Sequence, residues 1–327
     1  RAIDVDNTLE LRKKSEEIRA RIVHTEMPHT LAEAIVEAYD HFNVDLKNYK
    51  DSPGALAILK SAREPIFVSV RSSSTAEDTD DASFAGQQDS FINIKGNKEL
   101  LDTVKKVFAS LFTARSLYYR AKKGYEDFVP SAVIVQKMID SEKSGVIFSK
   151  HPVKKTHDIL IEAVWGQGDG IVSGRIKPDQ YVLSEDLEIV SEEVSDKKLA
   201  VVRNSSGQTK MVQLNDDISQ MRVLKTHELK SLAEYALKLE THFGKPQDIE
   251  FAIEHNEIFI LQSRPITTLG QEQTEQHIDG QVVSSGLAAS PGIATGTVKI
   301  IHTMDDLEKR KEGDILVTTM TNPDMIV

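Results

Sequence analysis

The chain has 327 residues, 39% hydrophobic and 28% charged, enough to bury the core of two domains or one large one. Its 51 acidic and 40 basic residues leave a formal net charge of −11, which excludes the general basic field needed to wrap nucleic acid. The absence of cysteine excludes disulfides and zinc–thiolate sites and fits a reducing cytoplasm; no apolar run reaches a membrane span, and residues 1–5 lack the pattern of a signal peptide.

Residues 7–24 read as a charged helix with Leu9, Leu11, Ile18 and Ile22 as its apolar positions, ended by Pro28. Thr30 is expected to cap a second helix, on which Leu31, Ile35, Ala38, Tyr39 and Phe42 follow helical spacing. An apolar run at 66–70 reads as a buried strand that ends in Arg71. The hydroxyl residues Ser72, Ser73, Ser74 and Thr75 follow, and past an acidic stretch a small-residue cluster covers 82–86. An arginine at the end of a buried strand is costly unless it meets an anion. Neighbouring hydroxyls and unhindered N–H groups suit a polyphosphate, and Gly86 would let the backbone come close. Composition alone favours a polar surface loop with Arg71 paired to Glu77 or Asp78.

Asn97 is expected to cap one long helix over 98–123, buried through Leu100, Leu101, Val104, Phe108, Leu111 and Phe112 and stopped by Gly124. Past Pro130 the pattern turns to short strands, at 131–138, 145–149, 159–165, 181–183, 189–194, 199–202 and 211–214. Gly166, Gly168, Gly170 and Gly174 form a glycine-rich loop, by itself a weak phosphate signal. Thr226 is expected to cap a helix running to Phe243, with Gly244 as its stop.

Strands at 248–254 and 258–264 read as a hairpin. A three-residue loop, His255-Asn256-Glu257, would set Glu250 opposite Gln262. Ile249, Phe251, Ile253, Phe259, Leu261 and Ser263 would then share the other, mostly apolar face. A carboxylate, an amide oxygen and, two residues on, the Arg264 guanidinium would lie together, hard oxygens for Mg²⁺ beside a clamp for phosphate. By spacing alone, a half-exposed hairpin with a Glu–Arg ion pair is the commoner explanation.

The string Val68-Ser69-Val70-Arg71-Ser72-Ser73, with Glu77-Asp78 and then Ala82-Ser83-Phe84-Ala85-Gly86-Gln87, resembles the ATP-grasp nucleotide-binding domain of phosphoenolpyruvate synthase (pyruvate, water dikinase). Asp248-x-Glu250-Phe251 and Leu261-Gln262-Ser263-Arg264-Pro265 resemble the strands that carry that family's magnesium-binding Glu and Gln and its phosphate-contacting Arg. The resemblance therefore implies Glu250 and Gln262 as metal ligands, and Arg71 and Arg264 as catalytic, nucleotide-contacting residues. It adds Ser72, Ser73 and Gly86 on the phosphates. The segment 133–139 resembles the family's adenine strand and linker and implies Gln136, Met138 and Ile139 there. Residues 161–168 resemble its I-E-x-x-[WY]-G-L-G-E segment, with Glu162 as a ribose or nucleotide-positioning acceptor; Gln167 and Asp169 depart from that pattern. The turn at Lys177-Pro178-Asp179 reads as structural.

The implied fold class is α+β: an ATP-grasp fold of two subdomains with mainly antiparallel sheets and packed helices, followed by the beginning of a swivelling β/β/α phosphohistidine domain. The expected boundaries are 1–130 and 131–268 for the subdomains, 269–282 for a linker and 283–327 for the start of the mobile domain. The chain reads as truncated at both ends. The family's lysine-bearing G-G-K segment, its phosphohistidine motif and its pyruvate-binding barrel find no match in these residues. The implied reaction makes phosphoenolpyruvate, AMP and phosphate from ATP, pyruvate and water by way of a phosphohistidine. ATP is the substrate and Mg²⁺ the cofactor; the partners are the phosphohistidine domain and pyruvate barrel of the full-length chain, with no nucleic acid and no membrane. A homo-oligomer is left open. The alternatives are a rifampicin phosphotransferase or related dikinase, disfavoured because the swivelling-domain start follows so soon, and a noncatalytic nucleotide-binding module.

Overall fold

A computed structural model of the chain describes residues 3–42, 64–75, 78–79, 82–83, 89–124, 130–152, 156–172, 175–204, 206–266, 284, 293–301 and 311–318. These form two compact units. Among the described residues, one comprises those up to Asp140 together with Val202–Lys210; the other comprises Ser141–Val201 and those within Met211–Met325. Both mix helices with antiparallel sheets, and no described helix is long and apolar enough to cross a membrane.

The first unit opens with α1 (Thr8–His24), whose Asn7 side chain accepts the Glu10 N–H at 3.1 Å. Helix α2 (His29–His41) starts earlier than Thr30 would place it. Pro28, at φ −52°, is pre-set for a helix start, and its carbonyl accepts from both Leu31 and Ala32 at 3.0 Å, so Thr30 lies inside the first turn. The three-stranded sheet has the order β4 (Phe91–Lys95), β1 (Phe67–Ser74), β5 (Ser131–Lys137), while β2 (Asp78–Thr79) and β3 (Ala82–Ser83) form a separate short antiparallel pair. Val68 and Val70 are fully buried against Leu100, Val104 and Val107 of α3 (Asn97–Ser110) and Tyr39 of α2. The Tyr39 hydroxyl donates to the Ile66 carbonyl and accepts the Gly96 N–H, tying α2 to both ends of the β1–α3 region.

The single helix expected over 98–123 is two. Helix α3 ends at Ser110, and α4 covers Ala114–Lys122. The Ser110 hydroxyl donates to the Val107 carbonyl, and Thr113 turns extended and accepts the Ser116 N–H at 3.2 Å, capping a new helix. Hydroxyl side chains that bond nearby backbone compete with helix continuation, and here they prevail over the apolar stripe. The guanidinium of Arg120 holds the break by donating to the Leu111 carbonyl at 2.9 Å. Gly96, at φ 90°, precedes α3, so Asn97 is its first residue and not its cap.

Strand β5, expected to open the second subdomain, pairs along its length with β1, and the division falls after Asp140. The tip of the hairpin formed by β10 (Leu199–Arg203) and β11 (Thr209–Gln213) also belongs to the first unit. Its Arg203 guanidinium lies 4.3 Å from the Phe67 ring centroid and pairs with Asp140 at 2.9 Å, and Thr209 accepts from the Asn93 amide at 2.9 Å.

The second unit is built on a six-stranded antiparallel sheet. Its order is β13 (Glu257–Pro265), β12 (Gln247–Glu254), β6 (Lys143–Phe148), β7 (Ile159–Trp165), β8 (Asp179–Leu183) and β9 (Ile189–Glu193). Short helices α5 (Asp169–Val172) and α6 (Asp216–Ser219) sit in its connections. The long helix α7 (Thr226–Phe243) covers one face. Leu229, Leu232, Ala233 and Ala236 pack against Ile147, Ile161, Tyr181, Ile249 and Phe251, nearly all without exposure. Each such large apolar side chain contributes about 1.5–3 kcal/mol of burial. Gly145 makes room for this packing, since a Cβ there would lie 1.9 Å from the Glu162 carbonyl oxygen and 2.8 Å from the Phe251 ring. Thr226 is the first residue of α7, not its cap; the Glu228 carboxylate reaches back to the Lys225 N–H at 2.7 Å. Gly244 stops the helix in the left-handed conformation, φ 66°, as its sequence position requires.

Two buried ion pairs reinforce this unit. Asp179 accepts from the Lys197 ammonium, the Tyr181 hydroxyl and the N–H groups of Ser195 and Val223, so the carboxylate is fully saturated. Lys143 donates to both oxygens of Glu228 at 2.7 and 2.8 Å and lies 5.9 Å from the Trp165 ring centroid. Beyond the sheet, β14 (Val298–Ile300) pairs in parallel with β15 (Ile315–Val317). The expected linker at 269–282 and the Ser290-Pro291-Gly292 and 319–325 segments lie outside the described residues.

Candidate functional site

Helix α7 takes one face of the six-stranded sheet; the other carries the polar residues. Strand alternation and register assemble them in a row. Gln262 stands opposite Glu250, Glu250 opposite Val146, Val146 opposite Glu162, and Glu162 opposite Gln180. In the next row Arg264 stands opposite Asp248. The Arg264 Nε donates to Asp248 Oδ2 at 2.8 Å, and its Nη2 lies 2.6 Å from the same oxygen. The Gln180 Nε2 donates to Glu162 Oε1 at 2.6 Å. Burial pushes the Glu162 carboxyl above the usual carboxylate range; the Gln180 hydrogen bond opposes this and the Asp248 charge adds to it. Burial also raises Asp248, against the pull of Arg264 and with the Glu250 charge pushing the same way. Three carboxylates, Glu162, Asp248 and Glu250, and one guanidinium, Arg264, thus lie on one face of the sheet.

The hairpin reaches this geometry by another route than a three-residue loop. Strand β12 ends at Glu254 and β13 begins at Glu257, so the turn is His255-Asn256, at φ 49° and 62°. Both central residues at positive φ match the twist of a two-residue hairpin. Near the turn the pairs are Ile253 with Ile258 and Phe251 with Ile260, one residue off the expected register. Ile258 and Ile260, rather than Phe259 and Leu261, therefore pack toward the core. The register shifts between Glu250 and Phe251, leaving Leu261 as an extra residue in β13, and beyond it Glu250–Gln262, Ile249–Ser263 and Asp248–Arg264 pair as expected.

In the first unit, β1 does not end at Val70. It continues through Ser74, because β5 offers an antiparallel partner for every residue: Arg71 opposite Ile134, Ser72 opposite Val133, Ser73 opposite Ala132. The hydroxyls expected in a loop are thus strand residues up to Ser74. Arg71 and Ser73 share the face that carries Gln136, which pairs with Ser69, and exposed Ile134. Ser72 alternates to the face of Val70 and Val133, which pack on α3. Met138 and Ile139 follow β5 half-buried, with the Met138 N–H donating to the Phe67 carbonyl at 2.9 Å, immediately before the division at Asp140. Gly86 and Gly174 lie outside the described residues.

Glu250 and Gln262 offer a carboxylate and an amide oxygen from directly paired positions, a donor set that suits Mg²⁺ completed by water and phosphate oxygens. Among the described residues no group of three or more His, Asp or Glu side chains gathers as a metal cage. Sequence reasoning missed two members of this face. Asp248 was visible in the same register that paired Glu250 with Gln262, since it falls opposite Arg264. Gln180 depends on the β7–β8 register, which the intervening glycine-rich segment hides.

A family model described as "Pyruvate phosphate dikinase, AMP/ATP-binding domain" matches residues 1–283. A "Probable phosphoenolpyruvate synthase" of Methanocaldococcus jannaschii is 43% identical over 99% of this chain and 27% of its own length. Its counterpart of the same description in Archaeoglobus fulgidus is 43% identical over 100% of this chain and 42% of its own length. The "Phosphoenolpyruvate synthase" of Pyrococcus furiosus is 40% identical over 99% of this chain and 40% of its own length. The chain thus spans less than half the length of these curated relatives.

Proposed function

The chain belongs to the pyruvate phosphate dikinase AMP/ATP-binding domain family, and from that premise we propose that it is the MgATP-binding part of a phosphoenolpyruvate synthase. In this reading its two units form an ATP-grasp domain, and β14 and β15 begin the swivelling domain that carries the phosphorylated histidine. The histidine takes the β-phosphorus and displaces AMP, water cleaves the β–γ bond and releases the γ-phosphate as inorganic phosphate, and the enolate of pyruvate then takes the remaining phosphoryl group from the histidine to become phosphoenolpyruvate.

The observation that carries this reading is the opposition of Glu250 and Gln262, with Arg264 pinned by Asp248 on the same face. Glu250 and Gln262 would hold Mg²⁺, whose charge, when bound, offsets that of the phosphate oxygens. Asp248 fixes the Arg264 guanidinium, so its charge is in place before the phosphates arrive and needs no reorganisation during transfer. On the first unit, Arg71 would offer a positive charge to phosphate. On the first unit, Ser73 would serve phosphate and Gln136, Met138 and Ile139 adenine; on the second, Glu162 would accept from a ribose hydroxyl. Most of the catalysis is positioning and charge neutralisation.

Calorimetry with MgATP, followed by an assay for pyruvate-dependent AMP release, tests the proposal on the full-length protein. Saturable binding with pyruvate-dependent AMP is the expected result. Binding without turnover would leave a noncatalytic nucleotide module, and no binding would overturn the nucleotide assignment.

A further inference from the structure

Gln180 has no part in the family resemblance, yet its amide donates to the Glu162 carboxylate. We propose that Gln180 is a positioning residue for nucleotide recognition: its amide fixes the Glu162 carboxylate so that a ribose hydroxyl of ATP can donate to the second carboxylate oxygen. The proposal rests on the nucleotide reading given above.

The two residues are direct cross-strand partners on β7 and β8, so little side-chain freedom is lost in making the 2.6 Å contact. Glu162 shares its face with the ionisable groups of β12 and β13, namely Asp248, Glu250 and Arg264. Arg264 is engaged with Asp248. On the far side Glu193 of β9 pairs with Gln180 in register, and its carboxylate is bound to Lys177 at 2.6 Å. On β6 the residues of this face are Ser144, Val146 and Phe148, and Lys143 turns to Glu228 on the other side.

The charged neighbours of Glu162 are therefore predominantly acidic, and burial disfavours its ionised form as well. Gln180 acts the other way. A neutral amide donor stabilises the carboxylate without adding a charge that a triphosphate would attract out of place. An ionised carboxylate can accept from a ribose hydroxyl in any rotation, whereas a protonated one must spend an oxygen as donor.

The test uses the full-length protein, calorimetry, and two ligands: MgATP and Mg²⁺ with 2′,3′-dideoxy-ATP. Gln180→Met keeps the length and removes the donor. It is expected to weaken ATP binding about tenfold and leave dideoxy-ATP binding unchanged. The ATP loss is expected to grow as pH falls, because Glu162 without its donor holds its proton to higher pH. Gln180→Asn keeps a neutral amide donor on a shorter side chain and is expected to lose less ATP affinity than Gln180→Met; an equal loss would count against the donor role. If the unaltered protein does not prefer ATP over dideoxy-ATP, the ribose role of Glu162 fails and takes this proposal with it. If it does prefer ATP but Gln180→Met keeps that preference, the Gln180 proposal alone is overturned. Equal losses on both ligands would mark a merely structural residue and overturn it too.

Discussion

Glu250 and Gln262 face each other across β12 and β13 because Leu261 is an extra residue between a two-residue turn and the paired ends of the strands. The turn alone would bring Leu261 opposite Glu250 and send the Gln262 amide to the core face. The bulge returns it to the carboxylate, so a local irregularity decides where the candidate metal ligands lie.

Removing either member of that pair tests the metal assignment. Glu250→Ala and Gln262→Leu are each expected to weaken magnesium-dependent ATP binding by about tenfold or more, and the double variant to lose less than the product of the two. Calorimetry at several Mg²⁺ concentrations reads the effect; losses that ignore the Mg²⁺ concentration would remove these residues from the metal site.

Arg264→Ala is expected to abolish phosphorylation of the histidine in the full-length protein while the fold survives, since the side chain is partly exposed and its removal leaves no cavity in the core. Asp248→Asn, which keeps shape but frees the guanidinium, is expected to slow that step by about tenfold. Transfer from ATP labelled in its β-phosphoryl group, with melting temperature as the control, separates the two. An Asp248→Asn variant with normal transfer would show that Arg264 needs no anchor.

The elevated proton affinity of Glu162 carries a signed consequence for stability. Its folded-state pKa is raised by burial and by Asp248, so the folded chain binds a proton more tightly than the unfolded chain. That contribution is fully present below the unfolded value, about pH 4, and is lost as pH rises through the folded one. Glu162→Gln should therefore melt higher than the unaltered protein at neutral pH, and the gain should shrink as pH falls toward about 4. Calorimetric melts across that range measure it; a variant less stable at neutral pH would contradict the assignment.

The turn makes a separate prediction. Asn256, at φ 62°, tolerates the left-handed conformation that a β-branched residue resists. Asn256→Val is expected to lower stability by about 1–2 kcal/mol, and Asn256→Gly to be neutral or slightly stabilising. Urea titration of the two variants is sufficient.

Sequence periodicity showed the apolar faces of β1 and β12 and the helix ending at Gly244, because each follows from alternation or a single conformational demand. It failed where side chains bond to the backbone. Thr113 and Ser110 divide a helix whose apolar stripe runs on unbroken through Leu111 and Phe112. It also failed where two local irregularities cancel: the short turn and the Leu261 bulge together yield the pairing that a longer loop would have given. Ser72 and Ser73 look equivalent in a hydroxyl run, but the β5 ladder assigns them to opposite faces. The Gln180–Glu162 contact joins strands whose register no local rule supplies.

Trp165, the chain's one tryptophan, packs against the core of the second unit beside Lys143. Its ultraviolet emission is consequently a private optical probe of that half of the molecule. Tyrosines, by contrast, occur on both sides of the division, Tyr39 in one and Tyr181 in the other. Denaturation curves recorded at the two excitation wavelengths should coincide if the halves melt as one cooperative body and separate if they melt in succession.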